Sequence, residues 1–531
     1  MSVADLVIER LRTAGARGLF GVPGGGGNLD LIAAAGRTGL PFVLTSTETA
    51  GAIAALAQAE VTGGVGACLT TLGPGAASVV NGVACAFLER APLVVFTDTQ
   101  SSAFEHQRLD HAAMMRPVVK GSATLEAISA QETMAWAIRQ ATQDRPGPVH
   151  LDCPAGVAAA ELVPLEGPAY DRADGGRTAG PGAASADFDR LVSGARKPLL
   201  IVGLGARRPQ DASAVRDLCA RRGIPAMVTY KAKGVVADSD EWFAGVFTNA
   251  AIEQAVIDES DLLIGIGLDP VELLPRPWKG KPPIVSCSPW PVEETHVPFA
   301  AQLVGRVAEA ARLIDNALSE SQWDARLLRT LVDWQVQRIR VPGDGLTAQR
   351  VVEIAAAQLS AASGRVAIDA GAHMLPATTL WPVHDPNGML ISNGLSTMGF
   401  ALPAAIGASL LDRPRPVVAL TGDGGLLMCA GELVTAAREK LPVMTIVFND
   451  ASLSLIEIKQ QARGLTGAGV ALGHVDWVKM AEGAGVEAWS AADEASLERA
   501  IGEARTRSGP TLIDARIDRS NYGATLRAVR G

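Results

Sequence analysis

A chain of 531 residues, 48% of them hydrophobic, has material for about three separately buried cores. Its formal net charge is −9 with a pI of about 5.4, and no basic cluster stands out, which argues against nucleic acid as a partner. No uncharged apolar run approaches the ~20 residues of a membrane span, and the opening MSVADLVIERLRTAGA lacks the basic head and apolar core of a signal peptide. The expectation is a soluble cytoplasmic enzyme with no membrane partner.

Residues 1–165 alternate helical and strand patterns. A helix over Ala4 to Ala14 leads to the strand-like GLFGVP (18–23) and the glycine run Gly24 to Gly27. PFVLTS (41–46), GACLTTL (66–72), APLVVFT (91–97) and GPVHLDC (147–153) read as further strands, with helices over Glu48 to Val61 and Ala76 to Glu89. Such alternation predicts a parallel sheet covered by helices. A Gly-, Ala- and Pro-rich stretch, about 166–185, reads as a linker.

A second block over 186–320 has strands KPLLIVGLG (197–205), DLLIGIGL (261–268) and PPIVSCS (282–288). The segment 321–345 turns polar and helical and breaks at PGDG, so it reads as a second linker. The last block, 346–531, has strands GRVAIDAG (364–371), RPVVALTG (415–422), PVMTIVFN (442–449) and PTLIDARI (510–517), with a helix over Gly431 to Glu439. The fold class is therefore α/β, with three doubly wound parallel-sheet domains; the first and last share a strand-helix rhythm. The six cysteines lie mostly in apolar runs without metal-ligand spacing and read as reduced core residues.

The chemistry concentrates where RPVVAL breaks into Gly422-Asp423-Gly424-Gly425. Ligands of open parallel sheets collect at the carboxyl ends of strands. There, glycines let the backbone approach a phosphate, and a carboxylate is a hard oxygen ligand suited to Mg²⁺. The next strand ends in Asn449-Asp450-Ala451-Ser452, which places a second oxygen donor at the same edge. A glycine- and aspartate-rich turn is the plain alternative for either segment alone.

GDG, a helix, a strand and then an Asn-containing turn resemble the diphosphate signature of thiamine-diphosphate enzymes. That resemblance implies thiamine diphosphate and Mg²⁺ as cofactors, with the metal held by Asp423, Asp450 and the main-chain carbonyl of Ser452, and Gly422, Gly424 and Gly425 against the diphosphate. The family usually has Asn where Asp450 stands, and a one-residue slip would make Asn449 the ligand instead. TSTETAGAIAALAQAEVTG (45–63) resembles the family's junction that carries the acid of the aminopyrimidine ring, which falls on Glu48. The first domain would bind the pyrimidine and the last the diphosphate. SNGLSTMGFALPAAIGA (392–408) resembles the acetolactate synthase stretch before GDG, implying cofactor contacts from Gly394 and, as the wedge beneath the bent cofactor, Met398. AIDAGAHM (367–374) is similar to the family's GQH segment, which places His373 on the diphosphate.

Within that family the motifs are closest to the acetolactate synthase large subunit. FGVPGGGGNLDL (20–31) resembles its PGGA loop, so Gly25 and Gly26 would line the substrate space. AFEHQRLDHAAMMRPVVKG (103–121) is similar to its FQE…RPVTK stretch, which makes Gln107 and Lys120 substrate residues; His106, Arg108 and His111 depart from the pattern and read either as an acid-binding group or as a solvated loop. DPVELLPRPW (269–278) replaces the arginine-bearing FAD segment, so FAD is not expected even though GLGARR (203–208) contains a lone GxG. The implied activity is a carboligase or C–C lyase acting on 2-oxo acids or related small carbonyls. A decarboxylase that releases an aldehyde, a flavin oxidase and a non-catalytic regulatory homologue are the alternatives. The implied assembly is a homodimer or homotetramer with active sites at the subunit interface.

Overall fold

The computed structural model describes the chain except for residues 101–102, 163–184, 294, 361–363 and 412–414, so the predicted linker at 166–185 lies almost wholly outside the described residues. The expected three sheets are present, each with six strands in wholly parallel pairing. The first comprises β1 Leu19–Val22, β2 Phe42–Leu44, β3 Gly66–Thr70, β4 Leu93–Thr99, β5 Ser122–Thr124 and β6 Pro148–Pro154, in the order β2-β1-β3-β4-β6-β5. The second holds β7 Pro198–Val202, β8 Ala226–Val228, β9 Phe243–Val246, β10 Leu262–Ile266, β11 Ile284–Ser288 and β12 Phe299–Val304, in the order β12-β11-β10-β7-β8-β9. Counted from β7, this is the 3-2-1-4-5-6 order of the doubly wound dinucleotide-binding fold. The third holds β13 Arg365–Ile368, β14 Met389–Ile391, β15 Val417–Gly422, β16 Val443–Asn449, β17 Glu487–Ala491 and β18 Thr511–Arg516, in the order β14-β13-β15-β16-β18-β17. That order repeats the first sheet strand for strand.

The central strands are apolar along their whole length because helices cover both faces of each sheet. Val417 to Thr421 are all buried. The segment 321–345, expected to be a polar and helical linker, contains a helix, Ala325–Ile339, whose Gln335 lies against Gly245 of the second sheet. The six cysteines are all buried and free.

Two devices hold the domains together. Helix Glu48–Thr62 of the first domain packs on helix Ala401–Ser409 of the last, both built largely of alanine and glycine. Their backbones come so close that a Cβ on Gly407 would lie 2.3 Å from the Ala54 carbonyl oxygen. Gln58 adds a hydrogen bond from Nε2 to the Gly407 carbonyl at 3.1 Å. The second device is buried Lys231 of the central domain. Its Nζ lies 2.5 Å from Glu60 and 3.3 Å from Glu89, both of the first domain, and donates to the Ile391 carbonyl of the last. Removing either sign of such a cluster would strand a buried charge, at a cost of about 3–5 kcal/mol.

Candidate functional site

β13, β15 and β16 are neighbours, so the turns that follow them meet at one edge of the third sheet. Gly422 of β15 is the register partner of Phe448, one residue before Asn449. The corner after β15 is not a free turn: a helix, Asp423–Cys429, begins at the aspartate itself, ahead of the expected helix, which spans Glu432–Arg438. Asp423 is 4% exposed, and its Oδ1 accepts the Gly424 N–H at 2.8 Å. Its Oδ2 accepts from the Asp450 and Ala451 amides at 3.2 and 2.7 Å, which clamps the two turns together. Burial, and then the charge of Asp450, pushes its carboxyl up to about 6.

Asp450 shares this edge. Its carboxylate accepts from the Ser452 amide at 3.0 Å and the Ser454 hydroxyl at 2.6 Å, and burial raises its pKa. Between them Ala451 takes a left-handed backbone, φ 56°, which turns the chain sharply so that residues 450–452 wrap the Asp423 carboxylate. Asn449 is committed elsewhere: its Nδ2 donates to Asp514 on β18 at 2.8 Å. Of the two candidates for the second ligand, Asp450 therefore has the carboxylate at the Asp423 corner, while the Asn449 amide braces the sheet.

His373 follows β13 and stacks on Phe448 at 5.0 Å between ring centroids. Burial lowers it to about 4, which keeps the ring neutral. Its Nε2 is buried and has no hydrogen-bond partner among the described residues, and its Cε1 lies 3.3 Å from where a Cβ on Gly422 would stand. The Met398 methyl is 3.4 Å from the equivalent point on Gly424, so methionine and GDG corner do meet. A Cβ on Gly425 would lie 2.7 Å from Asp369 Oδ2. Asp369 went unnoticed in the sequence. It is fully buried, accepts from the Gly399 and Phe400 amides and the Thr421 hydroxyl, and so fixes the Met398 segment on the corner. Its signal was an aspartate closing an apolar strand. Gly394 donates its amide to Glu89 at 2.9 Å, a contact between the last domain and the first.

At the matching edge of the first sheet, Glu48 opens helix Glu48–Thr62 behind the N-cap Thr47 and is half-buried. Gly75 lies beside it, since a Cβ there would stand 3.2 Å from Glu48 Oε1. Gly26 donates its amide to Asp98 at 3.2 Å, and the Cβ position of Gly25 has no atom within 4 Å, so this loop leaves open space. Gln107 is exposed on the loop that crosses Gly73. Lys120 is not with them. Its amide bonds Pro148 at the start of β6, the opposite end of the sheet, and its Nζ donates to the Gln143 carbonyl. His111 is neither a solvated residue nor an exposed anion-binding group: it is buried, 2.9 Å from Asp152.

In the central domain the turn after β7 is braced from within, because Leu204 donates its amide to buried Glu272 at 3.0 Å. A cavity of about 1080 Å³ lies between this turn, the first domain and Asp385–Asn387, and none of the site residues expected from the sequence lines it. Among the described residues no helix is long and apolar enough to cross a membrane.

The chain's own atoms fit a diphosphate at the third edge. The His373 ring lies against the Gly422 turn through Cε1 and Nδ1 and keeps an unpartnered buried Nε2, the glycines leave no room for side chains, and the Asp423–Asp450 pair is a hard oxygen donor set of the kind that binds divalent cations. Residues 1–117, 187–314 and 369–515 match, in turn, the N-terminal TPP binding domain, the central domain and the C-terminal TPP binding domain of thiamine pyrophosphate enzymes. The chain is 28% identical to an acetolactate synthase of Bacillus subtilis, over 98% of its length and 93% of the relative's. It is 29% identical to the catabolic acetolactate synthase of Raoultella terrigena, over 97% and 95%. With the acetolactate synthase isozyme 2 large subunit of Escherichia coli it shares 27% identity, over 98% and 96%. With all three domains matched in order, and relatives aligned end to end, the chain belongs to the thiamine pyrophosphate enzymes, on their acetolactate synthase side.

Proposed function

We propose that this protein is a thiamine-diphosphate-dependent carboligase of the acetolactate synthase type, which takes a 2-oxo acid as donor and joins the fragment left after decarboxylation to a second carbonyl. The observation that carries the reading is the half-buried Glu48 on the same sheet edge as the open Gly25 position, in a chain aligned end to end with acetolactate synthases. When bound, the cofactor supplies a carbon nucleophile and an electron sink for C–C cleavage.

The residues divide the remaining work. Glu48 holds the proton exchanged with the aminopyrimidine ring. The Asp423 and Asp450 carboxylates and the Ser452 carbonyl hold Mg²⁺, while His373 Nε2 and the Gly422–Gly425 turn receive the diphosphate. Met398 supports the cofactor from the Gly424 side, and Gly25, Gly26 and Gln107 border the substrate. Lys120, at the far end of its sheet, is given no part in this proposal. No FAD is proposed, in keeping with the lone GxG of the β7 turn, whose Leu204 amide is bonded to Glu272. The working unit is a homodimer or homotetramer in which the pyrimidine edge of one copy faces the diphosphate edge of another.

Incubation with pyruvate, thiamine diphosphate and Mg²⁺ is expected to yield acetolactate. Acetaldehyde as the only product would overturn carboligation, because it means the fragment is protonated rather than passed to an acceptor.

A further inference from the structure

The first sheet carries a buried network of two histidines that the proposed reaction does not use. Thr97 on β4 and Asp152 on β6 are register partners, and Thr97 Oγ1 lies 2.7 Å from Asp152 Oδ1. Thr97 Oγ1 is also 2.7 Å from His150 Nε2, and the other nitrogen of that ring is 3.2 Å from the Ser122 hydroxyl. His111 Nδ1 is 2.9 Å from the same Asp152 oxygen, and His111 Nε2 is 3.2 Å from the Gly73 amide nitrogen.

This last contact sets the proton positions. A backbone N–H can only donate, so His111 Nε2 is unprotonated and Nδ1 carries the proton, which it donates to Asp152. The Thr97 hydroxyl donates to Asp152 as well, which leaves His150 Nε2–H to donate to Thr97 and Ser122 to donate to His150 Nδ1. Two neutral imidazoles thus satisfy every contact. The same logic disposes of a metal reading of His111, His150 and Asp152, although their ligand atoms lie within 4.8 Å of one another. A cation on His111 Nδ1 would force a proton onto Nε2, directly against the Gly73 N–H.

Gly73 begins the turn Gly73–Pro74–Gly75. On one side it is crossed by Gln107, whose carbonyl oxygen would be 2.7 Å from a Cβ at Gly73, and on the other Gly75 lies beside the Glu48 carboxylate. Pro74 has no N–H, so the Gly73 amide is the anchor of this end of the turn. We propose that His111 is a positioning residue: by accepting the Gly73 N–H, with its tautomer fixed by Asp152, it holds the Gly73–Pro74–Gly75 turn at the height that aims Glu48 into the site. The inference rests on the reading of Glu48 given above.

Two substitutions separate this from a merely satisfied core histidine. In His111→Gln the side-chain oxygen can reach the Nε2 position and keep the Gly73 bond; in His111→Asn the amide nitrogen takes the Nδ1 position, keeps Asp152 and releases Gly73. In the cofactor-free chain, hydrogen exchange at the Gly73 amide is expected to quicken about tenfold or more in His111→Asn and to stay slow in His111→Gln. In the loaded enzyme, kcat for pyruvate is expected to fall about tenfold to a hundredfold in His111→Asn, with KM nearly unchanged, and to be largely rescued in His111→Gln. Asp152→Asn, which keeps the shape but gives up the charge that holds the proton on Nδ1, shifts both readouts the same way by a smaller factor and serves if His111→Asn does not fold. Equal loss in both His111 variants, or loss in neither, overturns the proposal. Glu48→Gln is run beside them: full turnover there overturns the assignment of Glu48, an outcome distinct from failure of the His111 pair.

Discussion

The first and third sheets follow one strand order, yet their carboxyl edges are equipped for different chemistry. After β15 and β16 stand two carboxylates, Asp423 and Asp450, with an imidazole whose Nε2 lacks a partner among the described residues. After β1 and β3 stand glycine turns, after β2 stands the half-buried acid Glu48, and the buried His111 has a partner on each nitrogen. Each sheet braces its edge with an aspartate on its sixth strand: Asp152 takes Thr97 in the first, Asp514 takes Asn449 in the third. Topology supplies equivalent places, and the side chains put there decide whether an edge handles protons or a metal and its anion.

The largest test of this contrast exchanges the acids at the two edges. Glu48→Gln should lower kcat by about 10²–10⁴-fold while calorimetry still detects cofactor binding, whereas Asp423→Asn should abolish Mg²⁺-dependent binding of thiamine diphosphate. Loss of cofactor binding in Glu48→Gln would erase the distinction. Next comes the junction that fixes one edge relative to the other. Gly407→Val drives a side chain into the Ala54 carbonyl and should cost about 1–3 kcal/mol or more in thermal unfolding.

A pH series tests the metal edge alone. Asp423, raised to about 6 by burial and then by Asp450, favours its protonated form in the cofactor-free chain. Its contribution to stability is therefore intact below its ordinary 3.8 and is lost as pH rises through about 6. A divalent cation needs the ionised form, so the thermal shift produced by Mg²⁺ with thiamine diphosphate should shrink as pH falls from 7 through 6. A shift that stays constant across that range would remove Asp423 from the metal. The smallest effect is expected from Asp450→Asn, which keeps an oxygen donor and removes one negative charge from beside the diphosphate. Turnover should persist within about tenfold, measured at saturating Mg²⁺.

The parts of the fold that were legible share one property: long apolar runs. β3, β4, β7, β10, β15 and β16 are buried on both faces and show as uninterrupted hydrophobic strings. The strands that went unread are short or half-polar, such as SAT of β5, FAAQLV of β12 and EAWSA of β17, all at sheet edges where one flank has no partner strand. Asp423, Asp450 and Glu48 stand out along the chain because a motif ties residue type to chain spacing. The position of Lys120 at the opposite end of its sheet was not legible, because a motif residue read along the chain carries no information about which end of the strand it reaches.

By itself, the sequence determined three parallel α/β domains, a glycine-aspartate corner and an acid at a helix start, because burial period and turn chemistry are local properties of the chain. Tertiary structure alone decided that the Asn449 amide bonds Asp514, that Gly394 bonds Glu89, and that His111 faces Gly73 and Asp152. Each of those is a choice between hydrogen-bond partners far apart in sequence, and only the packing of one strand edge against another makes one partner reachable and the other not.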